Sequence, residues 1–399
     1  MSNIKKHVLY TALYNTGFMF CTGAIIQTFL LQAGFTAQEV YAFNSLIQIA
    51  QVIMMLVMTV LSGKIKNVKL VTALSYLSLG ALTLVFLLGA INPDLFSKAY
   101  VIAVFVIAGI SYMGVGLYTI LSYCLPYYII DMKEYGKMTG LGVLLSGASS
   151  LALSFVYTFA VSKFDYMKSM ICFFILSLIC FILTTFLCLS LKEIEKNGEK
   201  SETKKEDLIA VFKNKDTYIL LFPNFARGLA TGIMGVITVI AFSNEIVTEQ
   251  TSSYINIVMQ IAMFAGNTLY ITLYKKIPPK ALLLVSTIGV FAFLPFCIHG
   301  GLIWFLTAFF IAYLFRMIVD TAIPVVVTEI IPQHQIGAYT SIRMLVFTGA
   351  QAVATMIITP LISVIGYTGL LAFAGTMQLV CGVGYWWVAR INSSSKIKI

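Results

Sequence analysis

SMICFFILSLICFILTTFLCLSLKEIEKNGEKSETKKEDLIAVFKNKD, residues 169 to 216, changes character after Leu191. From Ser169 to Leu191 there is no charged side chain, and a helix of those residues is about 34 Å long, enough to cross about 30 Å of hydrocarbon. From Lys192 to Asp216 the chain carries seven lysines and has almost no apolar residue before Leu208. Such a segment cannot cross a bilayer and reads as a charged linker between two halves. Its last part, Leu208 to Phe212, is short and amphipathic enough to lie on a membrane surface.

Working outward, the pattern of the apolar stretch repeats on both sides. Apolar runs fall near residues 8–31, 40–62, 70–91, 98–122, 138–161, 169–191, 217–241, 252–274, 281–298, 302–325, 338–362 and 369–390. The expectation is an all-α membrane protein of twelve transmembrane helices. Composition agrees, with 59% apolar and 11% charged residues against roughly a quarter charged in soluble domains. The first run follows Lys5 and Lys6 but is too long for a secretory signal and lacks a small-residue cleavage site, so it reads as a retained helix.

The net charge of +10 is explained by topology. Alternating the connections between two sides places Lys5, Lys6, Lys64, Lys66, Lys69, Lys133, Lys137, the linker lysines, Lys275, Lys276, Lys280, Arg390, Lys396 and Lys398 on one side. The other side receives only Lys98, Lys163 and Lys168. The positive-inside rule then puts both termini in the cytoplasm of a protein in the cell membrane, with no nucleic acid as partner. The seven cysteines, Cys21, Cys124, Cys172, Cys180, Cys188, Cys297 and Cys381, lie in or at the ends of apolar runs without CxxC or histidine neighbours. They are expected to be reduced packing residues, and no metal or cofactor is called for.

The halves echo each other. Asn15 and Thr22-Gly23 recur as Asn224 and Thr231-Gly232 at an offset of 209, and Asn44, Gln48-Ile49-Ala50 and Lys64-Ile65 recur as Asn256, Gln260-Ile261-Ala262 and Lys276-Ile277 at an offset of 212. Pro126 with Asp131 is answered by Pro324 with Glu329. The expected organisation is an N-terminal six-helix bundle at 1–191, a cytoplasmic linker at 192–216 and a C-terminal six-helix bundle at 217–399. Two halves with an even number of spans enter the membrane in the same orientation, a parallel repeat about the membrane normal.

Six plus six helices, a long charged linker and basic loops after the second and eighth spans make the chain resemble the major facilitator superfamily over its whole length. In the first basic loop, Ser62-Gly63-Lys64-Ile65-Lys66-Asn67-Val68-Lys69 keeps the cations of that superfamily's signature but has Gly63 where an aspartate usually stands. The resemblance implies two bundles rocking about a central site lined by the first, fourth, seventh and tenth helices. No subfamily is assigned.

Charges within spans are costly unless paired or hydrated, so they are the first candidates for function. Arg227 in the seventh span either faces a cavity and binds substrate or a coupled carboxylate, or serves as a partner of Asp320. Arg316 and Asp320, four residues apart in the tenth span, share one helix face and can neutralise each other. Asp320 is the only carboxylate well inside any span and the natural site for a coupling ion, H+ or Na+; a permanent ion pair is the alternative. Arg343 is expected to reach the headgroups or to pair with Glu329. Asn44, Gln48 and Gln51 form one polar stripe and Asn256, Gln260 and Asn267 another, as path lining or as glue between helices. Asn15 and Asn224 are cavity candidates, and Tyr112, Tyr118 and Tyr123 are either solute-stacking or packing residues.

These features point to a secondary active transporter whose partners are a small-molecule solute, such as a sugar or organic anion, and membrane lipid. No GxxxxGK[ST] run supplies nucleotide energy, and the first half has no embedded carboxylate of the kind proton-coupled drug exporters carry. A lipid-modifying enzyme needs a nucleophile, base or metal near the surface, yet His7, His299 and His334 have no carboxylate at a useful spacing. The chain is therefore expected not to be an enzyme. A non-transporting sensor on a transporter fold is the remaining alternative.

Overall fold

The computed structural model describes residues 2–61, 65, 67–125, 129, 135–192, 219–274, 276–331 and 336–396. Expectations about Gly63, Lys64, Lys66, Pro126, Asp131, Lys133, the linker from residue 193 to 216, Lys275, His334 and Lys398 fall outside those residues, as do the side chains of Tyr123, Cys124, Lys137, Glu329 and Lys396.

Among the described residues helix follows helix, without strands. In the first half α1 is Asn3–Met19, α2 Gly23–Gln32, α3 Ala37–Leu61, α4 Val68–Ile91, α5 Lys98–Cys124, α6 Tyr135–Lys163 and α7 Tyr166–Leu189. The second half continues with α8 Leu221–Met234, α9 Ile237–Ser243, α10 Glu249–Leu273, α11 Pro279–Phe293, α12 Leu302–Ile330 and α13 Ile336–Lys396. Local sequence sets several starts. At α3, Thr36 and Glu39 form a capping box: Glu39 Oε2 accepts from the Thr36 amide at 2.8 Å, and Thr36 Oγ1 accepts from the Glu39 amide at 3.2 Å. Asn67 caps α4 and Asp165 caps α7, each accepting at 3.0 Å from the amide three residues on.

Nine helices are long and apolar enough to cross a membrane among the described residues, and ten if the bent pair α8–α9 counts. One of them, Ile342–Arg390, runs for 49 residues, about 74 Å if straight, which is more than two crossings need. Gly366, at φ 66°, divides it there into two spans. With α1–α2 as a first crossing, the chain has twelve spans.

Two of the expected continuous spans are broken. The run at 8–31 splits at Phe20–Thr22, where Gly23 takes φ 62°, and the run at 217–241 bends by 43° between α8 and α9. The span expected at 281–298 ends in a turn of 3₁₀ helix, Leu294–His299. Hydropathy alone does not register such breaks, because the residues on both sides remain apolar.

Between 17% and 44% of each span's apolar window is buried inside the protein. The rest faces outward, with Ile303 82% and Val364 80% exposed. Apolar surface on that scale is tolerable only against lipid, so the chain is a multi-pass membrane protein.

Contacts divide the chain into two compact units, one of residues 1–201 with 248–257 and the other of 202–247 with 258–399. The first unit holds a nest of rings in which Tyr14 lies 4.9 Å from Tyr76 and 4.6 Å from Tyr118, centroid to centroid. In the second unit α8 packs closely along α13. Gly228 and Gly232 make this possible: a Cβ on Gly228 would sit 2.5 Å from both Ala350 Cβ and the Phe347 carbonyl, and one on Gly232 2.7 Å from Ala354 Cβ. Small residues four apart let helix backbones approach where no hydrophobic force drives association. Gly228→Val is expected to cost about 1–3 kcal/mol through overpacking and to lower the thermal-unfolding midpoint of the purified protein by several degrees. Gly349→Ala is the control, with nothing within 4 Å of its added Cβ, and it should stay near wild type.

Candidate functional site

The close seam between α8 and α13 places a polar cluster in the second unit. Arg227 projects from α8, six residues or about 9 Å after its first residue. Its Nη2 lies 2.8 Å from Asp320 Oδ1, and its Nε donates to the same oxygen at 2.9 Å. The guanidinium also stacks 4.4 Å from the centroid of Phe347 on α13. Edge and face are thus both engaged, which fixes the side chain in one orientation. Arg227 is buried, at 8% exposure, and does not point outward into acyl chains.

Asp320 sits in α12 four residues before Pro324, a proline inside the helix with no N–H to return to the Asp320 carbonyl. Arg316 approaches from one turn earlier, its Nε 3.8 Å from Asp320 Oδ2, and stacks 4.9 Å over Tyr313. Arg316 therefore pairs loosely with Asp320. The tight partner comes from another helix: Arg227 is the partner of Asp320 that the sequence offered as an alternative, and the pair within one turn is present at the longer distance. The physical reason is reach: Arg227 brings two donors to one oxygen, whereas the Arg316 Nε is left without a hydrogen-bond partner among the described residues.

Arg343 was expected to reach the headgroups or to pair with Glu329, whose side chain lies outside the described residues. It is buried, at 9% exposure, rather than reaching toward headgroups, and its Nε has no partner among the described residues. Asn224, fully buried on α8, donates to the Arg343 carbonyl at 2.6 Å, while its own Oδ1 is unpartnered among those residues. Arg227, Asp320 and Arg343 all lie within electrostatic range of Cys381 on the last span, so they form one neighbourhood. With Arg316, which pairs with Asp320, the described residues there comprise three arginines and one carboxylate.

The remaining candidates mostly tie helices together. Asn15, the echo of Asn224, donates to Ser146 Oγ at 3.1 Å and so links the first span to the fifth, as Asn224 links the seventh to the eleventh. The duplicated asparagine thus bonds to the corresponding span in each half. Asn44 donates to the Val40 carbonyl of its own helix at 2.8 Å, and Gln51 donates to Thr119 at 3.3 Å. Asn256 donates to Ser154 at 2.8 Å within the first unit, and Asn267 accepts from Thr321 at 2.7 Å. Gln260 lies half-buried. Gln48 differs from these, with a buried Oε1 that has no partner among the described residues. Tyr112 donates to the Cys21 carbonyl at 3.2 Å, and Tyr118 belongs to the ring nest.

Sequence reasoning did not single out Gln378, fully buried in the last span with both amide atoms unpartnered among the described residues. A lone amide in an apolar run, with no charge or repeat beside it, gave no signal except its being polar at membrane depth.

No sequence family and no curated protein matches this chain. Solved structures do. A D-xylose–proton symporter matches with a TM-score of 0.71 at 14% identity, covering 96% of this chain and 96% of that one. The nucleoside transporter NupG matches with a TM-score of 0.62 at 17% identity over 99% of both chains. A variant of the Escherichia coli fucose–proton symporter FucP matches with a TM-score of 0.64 at 13% identity, over 98% of this chain and 99% of that one. Matches of this extent show that the chain has the major facilitator fold.

Proposed function

We propose that the protein is a secondary active transporter that moves a small solute across the cytoplasmic membrane by alternating access, coupled to an ion. The reading rests on one observation: a buried Arg227–Asp320–Arg316 cluster in a fold whose solved examples include proton-coupled sugar symporters and a nucleoside transporter. No catalytic chemistry is assigned to the chain. The halves at 1–191 and 217–399 act as the two rocking bodies.

Asp320 is the coupling group. Arginines already stand at both of its carboxylate oxygens, so a third cation gains little there while the pairs hold. Arg227 and Asp320 lie in the same half, so the pair travels as part of one rocking body. Charge balance, and not a separate ion pocket, then links proton and solute.

Counterflow of labelled solutes in proteoliposomes tests the reading. A saturable exchange for at least one sugar, nucleoside or organic anion is expected; no exchange across such a panel would leave a non-transporting sensor. Orientation is tested separately. Single cysteines at Ser201 and Glu245 should react with a membrane-impermeant maleimide from the cytoplasmic and the outer side, respectively. The opposite pattern would invert the topology.

A further inference from the structure

The seventh and the last of twelve spans run in opposite directions, so the start of α8 and the end of α13 lie at the same face of the membrane. They meet closely there: a Cβ on Gly384 would collide with the Pro223 ring. Beside that contact is a groove of about 510 Å³, lined among others by Leu221, Phe222, Val346, Trp387 and Val388, all in the second unit. Its size falls within the range of small-ligand sites, about 300–1,000 Å³. Leu221 and Val388 are buried in it, while Phe222 and Trp387 are 67% and 59% exposed along it, so it opens outward, where lipid lies. None of its lining residues carries a charge, an amide or a hydroxyl, and the Trp387 indole N–H is their one polar side-chain group. A polar solute would forfeit its hydrogen bonds to water there, whereas a hydrocarbon chain has none to lose.

The chemistry changes one turn further along the last span. Arg390 ends that span, three residues or about 4.5 Å of helix beyond Trp387, and residues at that spacing share a helix face. Its side chain is exposed, and its guanidinium stacks 5.3 Å from the centroid of Trp386. Arginine takes phosphate oxygens in pairs, and tryptophans belong at headgroup level. We infer that the groove holds one acyl chain of an anionic phospholipid, whose phosphate is met by Arg390. The occupant follows from the order of the groups: an apolar channel that ends, at the membrane face, in a cation held by a ring. This site is independent of the transport reading and of the Arg227–Asp320 pair.

Thermal unfolding of the purified full-length protein in detergent is measured against phosphatidylglycerol, phosphatidylcholine of the same chains and glycerol phosphate. A saturable rise in midpoint is expected with phosphatidylglycerol, at an apparent affinity at least threefold tighter than with phosphatidylcholine, and no rise with glycerol phosphate. Val346→Trp, which fills the groove, should weaken the affinity for phosphatidylglycerol at least tenfold, and Arg390→Gln should bring it to the level of phosphatidylcholine. If Val346→Trp does not fold, Phe222→Ala, at an exposed wall, carries the test. Ile303→Ala, on an 82% exposed position of another span, should leave the affinity unchanged. Equal affinity for the two lipids, a rise with glycerol phosphate alone, undiminished affinity in the groove variants, or an equal loss in Ile303→Ala would overturn the inference. So would a dimer in gel filtration that Phe222→Ala dissociates, which would give the groove to a second copy of the chain.

Discussion

Arg227→Ala is expected to reduce solute uptake at least a hundredfold while the protein still inserts and runs as a single species in gel filtration. The side chain makes two contacts to Asp320 Oδ1, at 2.8 and 2.9 Å, and one ring contact to Phe347, and alanine deletes all three. Breaking one side of a buried ion pair typically costs about 3–5 kcal/mol. Asp320 is 20% exposed and Arg316 stands nearby, so the lower end applies and the fold survives. A purely structural pair predicts something different from a working one. In Arg227→Ala with Asp320→Ala both charges of the tight pair are gone and Arg316 loses its carboxylate, so stability should return part of the way toward wild type. Transport should not return, because the coupling carboxylate is absent. Recovery of both in the double variant would mean that Arg227 only neutralises its neighbour.

How much of this was legible in the sequence depends on the physics that each feature obeys. Span count follows from hydropathy, which is additive along the chain, and the twelve crossings emerge from it directly. The breaks after Met19 and Met234 do not, since they depend on backbone geometry within runs that stay apolar throughout. Asp320 was legible as the sole carboxylate in a span, and Arg227 was named as one of its possible partners. Which arginine would hold it was not, because i, i+4 spacing says who can meet and not how close a second helix brings a competitor. The GxxxG spacing at Gly228 and Gly232 carries that information in retrospect: it lets α8 approach α13 and delivers Arg227 to Phe347. Of the two readings of Arg343, the route to headgroups failed for a related reason, while pairing with Glu329 falls outside the described side chains. Its position near a span end suggested a route to headgroups, whereas the fold covers it beside Asn224 and Tyr385.

Asp320→Asn should separate accumulation from exchange. Asparagine has the shape of a protonated aspartic acid and cannot ionise, so the substitution holds the site permanently in the state that a bound proton would produce. Ion-driven accumulation against a gradient should fall to the level of empty liposomes. Counterflow at equal solute concentrations should persist within about tenfold of wild type, because rocking of the halves no longer waits on a charge. Arg227 would keep Phe347 beneath it and could still donate to the amide oxygen, which limits the structural damage. Unchanged accumulation would show that the pair only fixes helix packing and that the driving ion acts elsewhere.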